Sequence, residues 1–310
     1  RGIFVSVIWN DCCAILSNTK SIPLSVSKLS RNINPCLKSK VLLGISSLKG
    51  NVVNSSFIFL FGSVDTIVGA AAPDFCGGGD LTAWKEYLAA IESAADVAKK
   101  DQGIEMRGIV TCIRHNGPTL AKKAAICAAE TASNFVVGFG MGGDELVGSQ
   151  ADFKFSFDMA EEAGLGLTTH AGEWGGAESV RQAIQDLSVT RLGHGVQIIN
   201  DKNLIREAID KEITLEVCPG SNVFLGIFEK LSLHPIESLL KSGVSVTVST
   251  DDPPFFNTTM TTEYNNLKDV FDWDEDIFKV INQNAIHAAF CDEKQKLILL
   301  ERINSEWTKT

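Results

Sequence analysis

The sequence predicts an α/β fold, a parallel sheet whose strands alternate with covering helices. Three observations predict it. From about residue 80, six short runs rich in Val, Ile and Leu alternate with runs of helical period, the pattern of strands buried on both faces and joined by crossover helices. Strand ends at His170, His194, Cys218 and Asp251 recur every 24 to 33 residues, a spacing that suits a (β/α)₈ barrel and also a doubly wound sheet. No G-x-G-x-x-G opens a helix after a strand, which takes ground from a dinucleotide-binding doubly wound fold.

Each element has a local reason. "LTAWKEYLAAIESAADVAKK" spaces its apolar residues for a helix and ends in lysines, which suit the negative end of the helix dipole. "IEMRGIVTCI" reads as a buried strand, and "GPTLAKKAAICAAETA" as a helix with Pro118 near its start, where the missing N–H costs nothing. "NFVVGFG" is the next strand, and "ADFKFSFDMAEEAG" a helix closed by Gly164. "LGLTTH" is a strand, followed by a helix over about 177–187. "VTRLGHG" and "EITLEVCP" are strands on either side of the helix "DKNLIREAIDK". "HPIESLLKSG" is a helix ending at Gly243, "VSVTVSTDD" is the sixth strand, and helices follow at about 260–272 and toward the C-terminus.

Composition divides the chain near residue 70. Residues 1–70 hold two acidic residues, Asp11 and Asp65, against seven basic ones; the other 240 hold 36 acidic and 21 basic. The first segment is rich in Ser and Asn and shows little periodicity. It reads either as a divergent N-terminal region or as a stretch that is not the native start of this protein, with a barrel domain over 71–310. A net charge of −10 and a pI of about 5.1 argue against nucleic acid or an anionic membrane as the main partner. "SFIFLFGSV" is too short to span a bilayer. The eight cysteines form no C-x-x-C pair, so a zinc ribbon is not expected. Cys112 and Cys218 lie in apolar runs and read as reduced core residues. These features point to the cytoplasm.

The polar residues gather at strand ends. His170 and Glu173 follow one strand, His194 ends the next, and Asp251 and Asp252 end the last. In a parallel barrel such ends share one face, where active sites lie. Singly each has a plain structural reading: a strand-end histidine is more often a hydrogen-bonded rim residue, and "DDPP" a turn or helix cap. Their recurrence at matching strand ends favours a site. His170 and Asp251 offer N and O donors of the kind zinc accepts. His194 is placed to take or steer a proton of a zinc-activated water. Glu173 is a candidate general acid toward a ring nitrogen. Asp252 is a hydrogen-bond partner for the rest of a heterocycle. Glycines at 172, 193 and 195 are expected to let backbone approach a ligand closely.

"TTHAGEWGGAESV", "RLGHG", "EVCPGSN" and "STDDPPFF" together resemble the adenosine deaminases, most closely the bacterial type, over roughly residues 72 to 305. The resemblance implies a (β/α)₈ barrel with one Zn²⁺ per chain and hydrolysis of the 6-amino group of a purine nucleoside, adenosine and also 2'-deoxyadenosine. It assigns His170 and Asp251 as zinc ligands. Glu173 would protonate purine N1, His194 would orient the attacking hydroxide, Asp252 would bind N7, and the backbone of Gly143 would contact N3. An adenine or other aminopurine deaminase would share His170, Glu173, His194, Asp251 and Asp252. The family's first strand ends in His-x-His, two further ligands. Here the five histidines, at 115, 170, 194, 234 and 287, include no such pair. The first strand is therefore expected to be missing or replaced, and the chain expressed alone to be poorly soluble, metal-poor and inactive. His234 and His287 are expected to be surface or packing residues.

Overall fold

The computed structural model describes residues 63–66, 81–102 and 105–307. Seven strands form one sheet, all parallel and in strictly sequential order: β1 (Ser63–Thr66), β2 (Arg107–Ile113), β3 (Val136–Gly142), β4 (Gly166–Ala171), β5 (Arg191–His194), β6 (Thr214–Val217) and β7 (Ser245–Val248). Sequential order decides between the two architectures. A doubly wound sheet reverses its order at a switch point, and this sheet never does. The fold is a partial (β/α)₈ barrel.

The six expected strands appear as β2 to β7. β1 lies within "VDTIVGAAAPD" and its flank, and pairs from Ser63↔Arg107 to Thr66↔Val110. It falls inside the 1–70 segment, the rest of which lies outside the described residues, as does the expectation of a lost first strand.

Helices follow the strands: α1 (Leu81–Gln102), α2 (Pro118–Glu130), α3 (Lys154–Glu162), α4 (Gly176–Asp186), α5 (Lys202–Asp210), α6 (Pro219–Phe224), α7 (Ile236–Lys241), α8 (Pro253–Phe256), α9 (Met260–Phe271), α10 (Glu275–His287) and α11 (Glu293–Trp307). α2 buries a face of small side chains, Ala121, Ala124, Ala125 and Ala128, so it lies close on the sheet. Trp84 of α1 is buried against it and donates from Nε1 to the carbonyl of Cys127 at 3.1 Å. The helix expected over 151–164 opens as a 3-10 turn, Gln150–Phe153, because Ser149 and Asp152 form a capping box there.

The N-terminal mouth of the sheet is filled. The Phe290 ring leaves no room for a Cβ at Gly138 or Gly166. The Arg191 guanidinium stacks over that ring at 3.6 Å and pairs with Glu216 at 2.9 Å, both groups buried. Thr168 donates to the same carboxylate at 2.8 Å. With this end plugged, a ligand has the C-terminal end to enter. Among the described residues no helix is long and apolar enough to cross a membrane.

Candidate active site

His170 is the fifth residue of β4, and His194 the last of β5. Their rings meet edge to face, with centroids 4.7 Å apart. Asp251 follows β7, and its carboxylate lies 4.0 Å from His194 Nε2. Glu173, just past β4, reaches the same nitrogen at 3.5 Å. All four side chains are buried. Asp252 is buried at the same strand end, at the N-cap position of α8, yet its side chain does not cap that helix. Gly143 directly follows β3 with φ +93°, and a Cβ there would press on the His115 ring. The strand-end residues named from sequence thus share one end of the sheet.

His194 (φ 61°) and Asp251 (φ 59°) are both left-handed, a conformation that costs an ordinary side chain about 1–3 kcal/mol and clusters at functional sites. The turn lets each side chain leave its strand end toward the common centre. Gly172 and Gly195 are also left-handed, but what crowds them is protein. A Cβ would come within 2.4 Å of Val180 at Gly172 and within 2.6 Å of Leu215 at Gly195. At these two positions the lack of a side chain allows close packing of the loops after β4 and β5.

Several residues of the site were not assigned from sequence. The Glu145 carboxylate accepts backbone N–H bonds from Gly172, from Glu173 at 2.9 Å and from Trp174 at 2.6 Å. One buried carboxylate thereby holds the whole loop that carries Glu173. Gln150 donates to the His170 carbonyl at 3.1 Å. Ser221 donates to Asp251 Oδ2 at 2.7 Å. Asn222, wholly buried, lies 3.1 Å from His194 Nδ1 and donates to Glu173 Oε1 at 3.4 Å. His234 is not a surface residue; it is buried and meets Asn222 Oδ1 at 3.2 Å. Glu145 lies in "GGDE", just past a strand end, and Ser221 and Asn222 lie in "EVCPGSN", one of the motifs that carry the resemblance; that position was the available signal.

Burial, with the charges of His194 and Arg114, holds His170 well below the ordinary histidine range. Burial also disfavours a charged His194, but the surrounding carboxylates, Glu173 and Asp251 foremost, outweigh it and raise its pKa. Burial raises Asp251, against the opposing pull of His194 and Ser221. The Cys218 thiol is pushed well above its ordinary value and that of Cys112 up to about 12, both by burial first, which fits inert core thiols.

Metal-ligand chemistry is present. Donor atoms of His170, Glu173 and His194 lie within 4.8 Å of one another, as do those of His194, Cys218 and Asp251. A neutral imidazole and a carboxylate are the donor types zinc takes. The two sets share His194 and together make a candidate site for a metal ion such as zinc.

The adenosine deaminase family profile matches residues 72–306. The chain belongs to the adenosine deaminase family. Among similar members, a protein named adenine deaminase from Chelativorans sp. is 46% identical over 206 residues, 66% of this chain and 63% of the relative. An adenine deaminase from Rhizobium rhizogenes is 43% identical over 217 residues, 70% of this chain and 67% of that one. The chain thus spans about two thirds of these relatives' length. The crystal structure of adenine deaminase from Arthrobacter aurescens superposes with a TM-score of 0.68 at 25% identity, covering 74% of this chain and 72% of that one. An amidohydrolase from Burkholderia ambifaria with bound zinc shares the fold, with a TM-score of 0.69 at 23% identity over 73% of this chain and 63% of that one.

Proposed function

We propose that this site hydrolyses the exocyclic amino group of a 6-aminopurine, and that its substrate is the free base adenine, not adenosine, giving hypoxanthine and ammonia. One observation carries the choice of base over nucleoside: relatives 40–46% identical over more than 200 residues are named adenine deaminase. The buried group of His170, Glu173, His194 and Asp251 supports the chemistry.

A zinc held by His170 and Asp251 would supply, at neutral pH, a water activated toward hydroxide. The protein's own groups do the rest. Glu173, kept in place through its backbone N–H by Glu145, delivers a proton to N1 of the purine, and this makes C6 electrophilic. His194, 3.5 Å from Glu173 and 4.0 Å from Asp251, orients the attacking oxygen and stabilises charge as the C6–O bond forms. Asp252 holds N7, and the Gly143 backbone holds N3. The burial of the acidic and basic groups strengthens each of these contacts by excluding water. The hydroxyl proton of the C6 adduct passes through the Glu173 carboxylate, which has given its own proton to N1, to the amino nitrogen; the C6–N bond then breaks, ammonia leaves and C6=O forms.

The test is turnover of adenine and of adenosine by the zinc-supplemented chain, followed by ammonia release. A kcat/KM for adenine more than about tenfold above that for adenosine, a preference of about 1.4 kcal/mol, is expected. The reverse preference would sink the free-base assignment. A second reading, a purine-binding chain without turnover, is favoured by the lack of any His-x-His pair in the sequence. Tight purine binding with substoichiometric zinc and no ammonia would establish it instead.

A further inference from the structure

We infer that His234 and Asn222 are positioning residues that hold His194 in the tautomer with its proton on Nε2. The direction of the chain of bonds follows from one donor that admits no choice. The backbone N–H of Ile236 donates to His234 Nδ1 at 3.1 Å. That nitrogen is therefore an acceptor without a proton, and the proton of a neutral His234 is on Nε2. His234 Nε2 lies 3.2 Å from Asn222 Oδ1, and an N–H facing the amide demands its oxygen. Asn222 must then present Nδ2 on its other side. A second contact demands the same orientation, since Nδ2 also lies 3.4 Å from Glu173 Oε1, a carboxylate oxygen. The two amide hydrogens are thus assigned, one to Glu173 and one to His194 Nδ1 at 3.1 Å. His194 Nδ1 accepts, so its proton sits on Nε2, the nitrogen that faces Glu173 and Asp251.

The amide cannot turn over. Turning it would place Nδ2 against the Nε2–H of His234, two donors face to face, at a site where Asn222 is wholly buried and His234 nearly so. An unmatched buried donor loses its water without gaining a partner, which disfavours that orientation. His234 is itself braced by an edge-to-face contact with Phe228, ring centroids 4.8 Å apart. Asn222 is braced by its carbonyl, which accepts from the backbone of Ile227 at 2.9 Å and Phe228 at 3.3 Å. The use of this tautomer in catalysis rests on the deamination proposed above. A Nε2–H aimed between two carboxylates donates to the oxygen that attacks the ring, and a bare Nε2 cannot. The tautomer itself rests on hydrogen bonding alone.

The experiment is long-range ¹H–¹⁵N spectroscopy of the imidazoles in the ¹⁵N-histidine-labelled full chain, with the five rings assigned by single His→Gln variants. At a pH high enough that both rings are neutral, His194 and His234 are both expected to show an unprotonated Nδ1 and a protonated Nε2. In Asn222→Asp, a side chain that only accepts, Nδ1 of His194 is expected to gain a proton. His234→Gln keeps a donor toward Asn222 and is expected to leave His194 unchanged, while His234→Phe should let its two tautomers mix. A protonated Nδ1 at His194 in the wild-type chain overturns the inference, and so does an unprotonated Nδ1 in Asn222→Asp. The wild-type spectrum decides the matter even where a variant does not fold. Loss of deamination with the tautomers as stated would count against the proposed function and leave this inference standing.

Discussion

At the scale of single residues, the site works by pairing each reactive side chain with a buried partner that restricts it. In the proposed reaction Glu173 has the most demanding role, and it is well supported, with Glu145 on its backbone and Asn222 on its carboxylate. Glu173→Gln keeps the shape and removes the acid. Turnover is expected to fall about 10²–10⁴-fold, the usual worth of general acid catalysis, with zinc content unchanged by metal analysis. A variant keeping more than about a tenth of the rate would remove Glu173 from that role. Glu145→Gln tests the support. The amide offers one acceptor oxygen to three N–H groups that now share a carboxylate. Hydrogen bonds to a charged acceptor are worth about 1.5–3 kcal/mol each, so a drop in stability of about 2 kcal/mol by urea unfolding is expected, together with a lower kcat. An unchanged urea midpoint would show that the loop holds itself.

At the scale of elements, the loops after β4 and β5 are packed against each other through glycine. Gly172 is left-handed and lies 2.4 Å from Val180 at the position of a Cβ. Gly172→Ala must therefore move α4 or the loop, in addition to straining the backbone, and overpacking of this kind typically costs about 1–3 kcal/mol. The expected signature is a lower denaturation midpoint with Glu173 displaced, so that kcat falls more than KM rises. Gly164→Ala is the control. It is left-handed too, but nothing stands within 4 Å of its Cβ position, so only the backbone term of about 1 kcal/mol remains. Equal losses in the two variants would mean that the Val180 contact is unimportant. Sequence reading placed Gly172 beside the site, but a glycine in a motif does not say which side chain packs against it, and the Val180 contact became visible only in the structure.

At the scale of the whole molecule, the buried histidines set the response to acid. Burial holds His234 neutral down to about 3, whereas an unfolded histidine takes a proton near 6.5. Between those values an unfolded His234 binds a proton that the folded one does not, so its contribution to stability is full above about pH 6.5 and falls as pH drops toward 3. His170, also held low, adds to the same slope. Asp251 and His194, whose pKa values are raised, act in the opposite direction, Asp251 above its unfolded value of about 3.9 and His194 above about 6.5. A shift of this size is worth on the order of a few kcal/mol. His234→Gln should flatten the dependence of the urea midpoint on pH between 6.5 and 4. An unaltered slope would mean that His234 does not carry the acid sensitivity.

The sequence by itself determined the order and type of the elements and the common end of the sheet at which His170, His194, Asp251 and their neighbours stand. Local periodicity and composition encode strands and helices, and parallel strands turn every C-terminal end to the same face. It also carried the family through four ordered motifs. Only the tertiary structure decided that the sheet runs in sequential order, that His194 and Asp251 bend into left-handed backbone, and that Glu145, Asn222 and His234 hold the reactive groups. Those contacts join residues 27 to 29 positions apart at Glu145 and 49 apart at Asn222 and Glu173. No local period records such a contact; it exists only once the strand ends have been brought together, when the cost of leaving a buried polar group unpaired selects its partner.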